Sequence, residues 1–336
     1  MIVSRALLLL ALSQQLHEEE PKLTLPVREQ LWRQMDSYAN GLTAKPESLR
    51  RLLKTRMGYP PPAMSVQSKL RLEKSGEDAV ATYYRSYLTV APGMDAYGLY
   101  IVPKKRVARR APLVISQHGG GGTPEMATYN GGTNYHDQVR GAVAQGYVVY
   151  APHTVMYPFR DRDLGTAIPS AVRKDLDEKF RAAGTSLAAV EVYKIQLAID
   201  ELVKRPEIDP NRIAMIGLSY GGYYSLYTAA VEPRIKVVVA SCSVRNEEPV
   251  LDSKIEGRLL DLAPADVAGL IAPRALQIQT GIDDKSSPID QARIAAAKAR
   301  SFYEKAGALP KFSFEEFAGG HEFRGSLVWP FLKKWL

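Results

Sequence analysis

Ile213-Ala214-Met215-Ile216-Gly217-Leu218-Ser219-Tyr220-Gly221-Gly222 is an apolar run that passes into Gly-x-Ser-x-Gly and then into a helical pattern. A serine in that setting sits on a strained strand-to-helix turn, with its hydroxyl projecting above the sheet. Small residues two positions to either side let strand and helix approach each other, and Gly217 and Gly221 supply them. Around this stretch, from Pro112 onward, short β-branched runs alternate with helical patterns, as parallel strands joined by crossover helices do. Strands are expected at 113–117, 147–151, 212–216, 235–240, 275–280 and 312–317, several of them apolar throughout, as strands covered on both faces are. Val192, Ile195, Ile199 and Leu202 give one connecting helix a core-facing stripe. The fold class is therefore α/β, with a mostly parallel central sheet flanked by helices.

A serine hydroxyl attacks a carbonyl only when a base takes its proton, and histidine suits that task near neutral pH. Among the five histidines, His17 lies in the N-terminal extension, His136 in a helical pattern, and His118 and His153 after earlier strands. His321, in Ala318-Gly319-Gly320-His321-Glu322-Phe323, is the one that follows the last expected strand. A carboxylate must fix the imidazole tautomer. Asp283 and Asp284, adjacent in the loop after 275–280, both qualify by position. The developing oxyanion needs two N–H donors. Tyr220 N–H is one by position, and the other is expected from Gly119 or Gly120 in Gln117-His118-Gly119-Gly120-Gly121-Gly122, where no side chain blocks the backbone. No Lys-Ser/Thr pair follows these glycines, which excludes a phosphate-binding loop.

Composition narrows the function classes. The 336 residues are 46% hydrophobic and 24% charged, which suits a globular protein with a large core. A single cysteine, Cys242, rules out an internal disulfide framework and any CxxC metal or redox site; no cofactor and no metal are expected. The net charge of +8 is spread along the chain, and its one cluster, Lys104, Lys105, Arg106, Arg109 and Arg110, lies between strand-like segments without aromatic interleaving. Nucleic acid is accordingly not an expected partner. No run reaches the roughly 18 apolar residues of a membrane span.

Residues 1–62 read as a helical extension. Met1 to Ser13 contains a short apolar run ending in a cleavage-like Ala11-Leu12-Ser13, leaving open both an exported location, if it is removed, and a cytoplasmic one. Pro26 opens a helix ending near Gly41, and Pro46 opens another stopping at Gly58, with Leu49, Leu52, Leu53 and Met57 as its apolar face. After Pro60-Pro61-Pro62, residues 63–336 form the main domain, beginning with a strand-rich stretch, 66–102, whose hairpin turns near Pro92-Gly93. Residues 153–185 are too long for a simple crossover and form an insertion after strand 147–151. Their charges, Arg160-Asp161-Arg162-Asp163 and then Arg173 to Arg181, are expected to fold over the strand ends.

HGGGG at 118–122, GLSYGG at 217–222, the run from Ala272-Pro273-Arg274 through Asp284 to Pro288, and GGHEF at 319–323 together resemble the α/β-hydrolase superfamily. The likeness is to its bacterial acetyl-xylan-esterase-like and dienelactone-hydrolase-like members, and it covers roughly residues 112–336. It implies the α/β-hydrolase fold and a catalytic order of Ser219, acid, His321. In Gly-x-x-Asp-x-x-x-Pro loops of this fold the acid stands three residues after the glycine, which selects Asp284 over Asp283. The implied activity is a serine carboxylic-ester hydrolase acting on short acyl esters, with a small-molecule or carbohydrate ester as substrate; the oligomeric state stays open. Ser219 departs from the cysteine of a true dienelactone hydrolase, and Tyr220 from the arginine that follows the nucleophile in glucuronoyl esterases. Ser219-Tyr220-Gly221-Gly222-Tyr223 also resembles the elbow of prolyl-oligopeptidase-type peptidases, which keeps a small peptidase or amidase in view beside a silent hydrolase-like binder. The roughly 110 residues before the core are too few for those peptidases' propeller.

Overall fold

Strands made almost wholly of Val, Ile, Leu and Ala cannot face water on either side, and they form the centre of the sheet. In the computed structural model, which describes residues 25–35, 37, 45–64, 67–129, 131–154, 170–245 and 262–336, nine strands join in one sheet. They are β1 (Leu70–Glu77), β2 (Ala81–Ala91), β3 (Met94–Pro103), β4 (Ala111–Gln117), β5 (Val148–Pro152), β6 (Ile208–Leu218), β7 (Ile235–Ser241), β8 (Ala275–Gly281) and β9 (Phe312–Phe317). Their order is β1-β2-β3-β5-β4-β6-β7-β8-β9. The first three run antiparallel in sequence, β3 pairs antiparallel with β5, and the remaining neighbours are parallel. This is the α/β-hydrolase fold. β4, β5 and β8 are buried along their whole length, whereas β1, at the edge, has no buried residue.

The expected strands all form, and β2 and β3 are the hairpin turning at Pro92-Gly93. β6 is longer than expected by four residues at its start, because Ile208 pairs with Ala111 ahead of the apolar run. The helices in chain order are α1 (Pro46–Met57), α2 (Pro124–Tyr129), α3 (Gln138–Ala144), α4 (Ser170–Ala182), α5 (Leu187–Leu202), α6 (Tyr220–Val231), α7 (Pro264–Gly269), α8 (Ile289–Lys305) and α9 (Gly325–Trp335). Val192, Ile195, Ile199 and Leu202 of α5 are all buried. On one face of the sheet, Val114, Ile216, Val237 and Val239 share a core with Val139 and Val143 of α3 and with Val328 and Leu332 of α9.

The chain divides into two compact units, Met1–Leu49 and Arg50–Leu336. In the first unit, residues 25–35 are helical, as Pro26 suggests; residues 1–24, including the signal-like segment, lie outside the described residues. In the second, Leu53 and Met57 are fully buried while Leu52, expected beside them, is exposed. Arg50 instead directs α1, donating to Ala230 O at 2.7 Å and Leu270 O at 2.9 Å. In the expected insertion, residues 170–182 form α4, and the buried Asp177 accepts from Leu187 N–H at the start of α5 and pairs with Arg181. Arg160 to Asp163 lie outside the described residues. Among the described residues, no helix is long and apolar enough to cross a membrane.

Arg274 ties the end of α6 to the starts of β7 and β8. Its guanidinium donates to Ala229 O, Glu232 O and Ile235 O, and burial draws its pKa down to about 10. A cation there also suits the negative end of the helix dipole. Arg274→Ala orphans three carbonyls at once and is expected to cost about 2–3 kcal/mol of unfolding free energy. Urea denaturation checks this, and a midpoint equal to the wild type's would show that those carbonyls find other partners.

Candidate active site

Parallel strands of an open α/β sheet expose the loops at their carboxyl ends to ligands. Ser219 follows β6, Cys242 follows β7, Asp284 follows β8 and His321 follows β9, so all four stand at one edge of the sheet. Ser219 adopts φ 58° and ψ −122°, a conformation that L-residues rarely occupy. Such strain costs on the order of 1–3 kcal/mol and persists only where the surroundings impose it. Here they do. A Cβ on Gly217 would stand 2.2 Å from Gly221 C, and one on Gly221 would stand 2.1 Å from Gln117 O. Ser219 N–H donates to Ser241 O at 2.8 Å, and Ser219 O accepts from Tyr223 N–H at 2.9 Å.

His321 Nδ1 lies 2.8 Å from Asp284 Oδ2. The Asp284 side chain is fully buried, and its other oxygen accepts Ser286 N–H at 2.8 Å and Ser287 N–H at 2.9 Å. Burial opposes ionisation of this carboxyl, but His321, the Ser287 N–H and the Cys242 thiol outweigh it and hold the pKa below the usual aspartate value. A carboxylate accepting at Nδ1 leaves Nε2 able to take a proton. Asp283 is exposed, and its N–H donates to Gly319 O at 3.0 Å, so it joins the acid loop to the histidine loop through its backbone. Of the two adjacent aspartates, the structure brings Asp284 to His321.

The Gly119 and Gly120 N–H groups, equal candidates in sequence, differ in the structure. Gly119 N–H donates to the Tyr135 hydroxyl at 3.0 Å. Among the described residues, Gly120 N–H has no hydrogen-bond acceptor. Gly119 itself abuts Ser219: a Cβ there would stand 2.9 Å from Leu218 O and 3.2 Å from Ser219 Cβ. Tyr220 opens α6, and first-turn N–H groups point out of a helix.

The other histidines stand apart from this pair. His118 is buried with its pKa drawn down to about 3 by desolvation; its Nε2 accepts Thr154 N–H, so Nδ1 carries the proton and donates to Gly119 O. His153 stacks near His118 at 5.3 Å between centroids. His136 lies in a turn before α3 rather than in a helix, paired with Glu322 at 2.7 Å. His17 lies outside the described residues.

Cys242 belongs to the site in a way the sequence argument missed. Ligating atoms of Cys242, Asp284 and His321 all lie within 4.8 Å of one another. Burial pushes the thiol up to about 12, so it stays protonated rather than offering a thiolate, and it donates to Glu322 O at 3.5 Å and Gly320 O at 3.9 Å. Its place just beyond strand 235–240 was the available signal, since that edge also carries Ser219 and Asp284.

Residues 156–248 match the model of the Prolyl oligopeptidase family. Over 289 residues, 80% of this chain and 91% of the relative, the sequence is 25% identical to "Putative hydrolase YtaP" of Bacillus subtilis (strain 168). Among solved structures, a "putative acetyl xylan esterase" from Bacteroides fragilis NCTC 9343 superposes with a TM-score of 0.66 at 15% identity, covering 86% of each chain. A glucuronoyl esterase from Solibacter usitatus superposes with a TM-score of 0.63 at 16% identity, covering 87% of this chain and 91% of its own.

Asp284→Asn is expected to lower kcat about 10³–10⁴-fold by allowing the wrong imidazole tautomer, while Asp283→Asn stays within a few-fold of wild type. Steady-state kinetics on two equally folded variants decides between them; a larger loss in Asp283→Asn would reverse the assignment. Because the Asp284 carboxyl is depressed in the folded state, the stability it contributes is present above the unfolded-state value near 4 and is lost as pH falls through the lower folded value. Unfolding midpoints followed from pH 6 to 3 should therefore decline less steeply in Asp284→Asn.

Proposed function

From the α/β-hydrolase fold and the prolyl oligopeptidase family segment at 156–248, we infer that this chain is a serine hydrolase that cleaves carboxylic esters through an acyl-enzyme. The observation that carries this is the left-handed Ser219 turn at the same sheet edge as a buried Asp284 hydrogen-bonded to His321. Ser219 Oγ attacks the ester carbonyl as His321 Nε2 takes its proton. Asp284 holds Nδ1–H and stabilises the imidazolium, while Tyr220 N–H and Gly120 N–H receive the oxyanion. Collapse breaks the bond to the alcohol, which leaves with the proton from His321. A water, deprotonated by the same imidazole, then releases the acid and restores Ser219.

Short acyl groups, acetyl above all, are the expected substrates, carried by a sugar or another polar alcohol. The esterases that superpose on this fold include proteins named for acetyl xylan and glucuronoyl esters. The aromatic content also leans polar, with 18 tyrosines against 8 phenylalanines and 3 tryptophans. The charged insertion lends less support than its sequence suggests, because Asp177 serves as a helix anchor. Amide cleavage is the second reading, favoured by the family match at 156–248, and a matched ester and amide panel separates the two.

Ser219→Ala is expected to fold normally, to lose several orders of magnitude in kcat, and to escape labelling by a fluorophosphonate probe that marks the wild type. Ester hydrolysis within about tenfold of wild type would remove Ser219 from the mechanism. With that variant as background, a chain-length series of activated esters should peak at the acetyl end; a maximum at long fatty chains would overturn the acyl preference.

A further inference from the structure

A glycine is the residue least able to hold its own φ and ψ, yet an oxyanion donor must be fixed before the reaction begins. The loop after β4 has four glycines in a row, so whatever fixes it lies outside the loop or in its flanking side chains. At Gly119 both backbone polar groups are tied. Its N–H donates to the Tyr135 hydroxyl at 3.0 Å, and its C=O accepts from His118 Nδ1 at 2.8 Å and Gly122 N–H at 3.2 Å. Fixing both ends of Gly119 fixes its φ and ψ. Because the peptide unit is planar and trans, the Gly120 N–H must then point opposite to the Gly119 carbonyl. That N–H has no acceptor among the described residues, and its peptide belongs to a glycine that abuts Ser219 Cβ.

The Tyr135 ring is built to stay in place. The residue is 3% exposed and packs in the core beside Val139 and Leu218. A Cβ on Gly122 would stand 2.0 Å from its hydroxyl oxygen, so glycine at 122 makes room for the phenol. Burial pushes the phenol up to about 12, leaving a neutral oxygen that accepts from Gly119 without introducing a charge where the oxyanion forms. Its neighbours in sequence hold the other half of the site. Asn134 Nδ2 donates to His321 O at 2.9 Å, Asn134 O accepts from Phe323 N–H at 2.8 Å, and His136 pairs with Glu322 at 2.7 Å. The turn achieves this with two non-glycine residues in the left-handed region, His136 at φ 43° and Asp137 at φ 57°.

We propose that Tyr135 is a positioning residue for the oxyanion hole, its hydroxyl holding Gly119 so that Gly120 N–H is aimed at the developing oxyanion, and that Asn134 and His136 lock the same turn to the histidine loop. The proposal rests on the ester-hydrolase reading above and adds a residue to it. Tyr135→Phe removes one oxygen and keeps the ring. With an activated acetate ester it is expected to lower kcat about 10–50-fold while KM stays within about twofold, less than outright loss of a donor, which costs about 10²–10³. Ethylboronic acid, whose Ser219 adduct places an oxygen in the hole, should bind more weakly by a similar factor. Tyr303→Phe is the structural control: Tyr303 is equally buried and its hydroxyl donates to Arg274 O at 2.8 Å, so this change should lower the unfolding midpoint and leave kcat alone. A folded Tyr135→Phe with kcat and boronate affinity within about twofold of wild type overturns the proposal, while Ser219→Ala inactivity in the same assay leaves the ester reading standing. Should Tyr135→Phe fail to fold, a wild-type crystal structure with ethylboronic acid decides. Gly120 N–H on the boronate oxygen with Gly119 N–H still on Tyr135 supports the proposal, and Gly119 N–H turned to the boronate overturns it. A wild type that forms no Ser219 adduct overturns the ester reading and this proposal together.

Discussion

Close approach of backbone to backbone at Gly217 and Gly221 is the constraint on which the remaining geometry depends. Gly221 sits where any side chain would strike Gln117 O, and Gly217 where it would strike Gly221, so β4, β6 and the first turn of α6 are held within van der Waals reach of one another. That contact accompanies the φ of 58° at Ser219 and places the end of β4 directly beside it. The glycine loop after β4 and the Ser219 turn are therefore parts of one packed junction. An alanine at 217 or 221 would separate the junction as well as relax the turn.

Asp284 lies deeper than Ser219 and His321, and both of its carboxylate oxygens have hydrogen-bond partners. Ser286 and Ser287 N–H groups occupy one oxygen and His321 the other. A buried carboxylate with so many donors stays ionised and cannot rotate, so the imidazole beside it has one tautomer and one orientation. The same burial keeps Cys242 a thiol, and its Sγ donates to Glu322 O at 3.5 Å, in the loop that carries His321.

Features set by local pattern were legible in the sequence. The six parallel-type strands, the hairpin at Pro92-Gly93, the stripe on α5 and the elbow glycines each follow from periodicity or from the space a turn demands, and each formed as expected. The placement of Asp284 beside His321 followed from a loop pattern rather than from composition. What escaped was fixed by tertiary packing. Leu52 shares a helical stripe with Leu53 but is exposed, while Arg50 two residues earlier reaches Ala230 O and Leu270 O. Asp177 reads as one charge in a solvated run, yet it accepts from the first N–H of α5. Gly119 and Gly120 are indistinguishable in a string of four glycines, and nothing local shows that Gly119 N–H meets the hydroxyl of Tyr135, 16 residues away.

That last case follows from a conflict built into the site. The donor loop needs glycine, since a Cβ at 119 would crowd Leu218 O and Ser219 Cβ and one at 122 would strike Tyr135. The same substitution-free backbone has the most conformational freedom to lose, and electrostatic preorganisation fails if the donors wander. Local sequence cannot satisfy both demands. The fold meets them by borrowing rigidity from side chains that are themselves immobile, a core-packed tyrosine and a buried neutral histidine whose tautomer is fixed by Thr154 N–H. Tyr135 also belongs to the turn that holds the His321 loop through Asn134, so Gly119 and His321 share one support. A motif search sees the glycines and the serine; the support that makes them usable is visible only once the chain is folded.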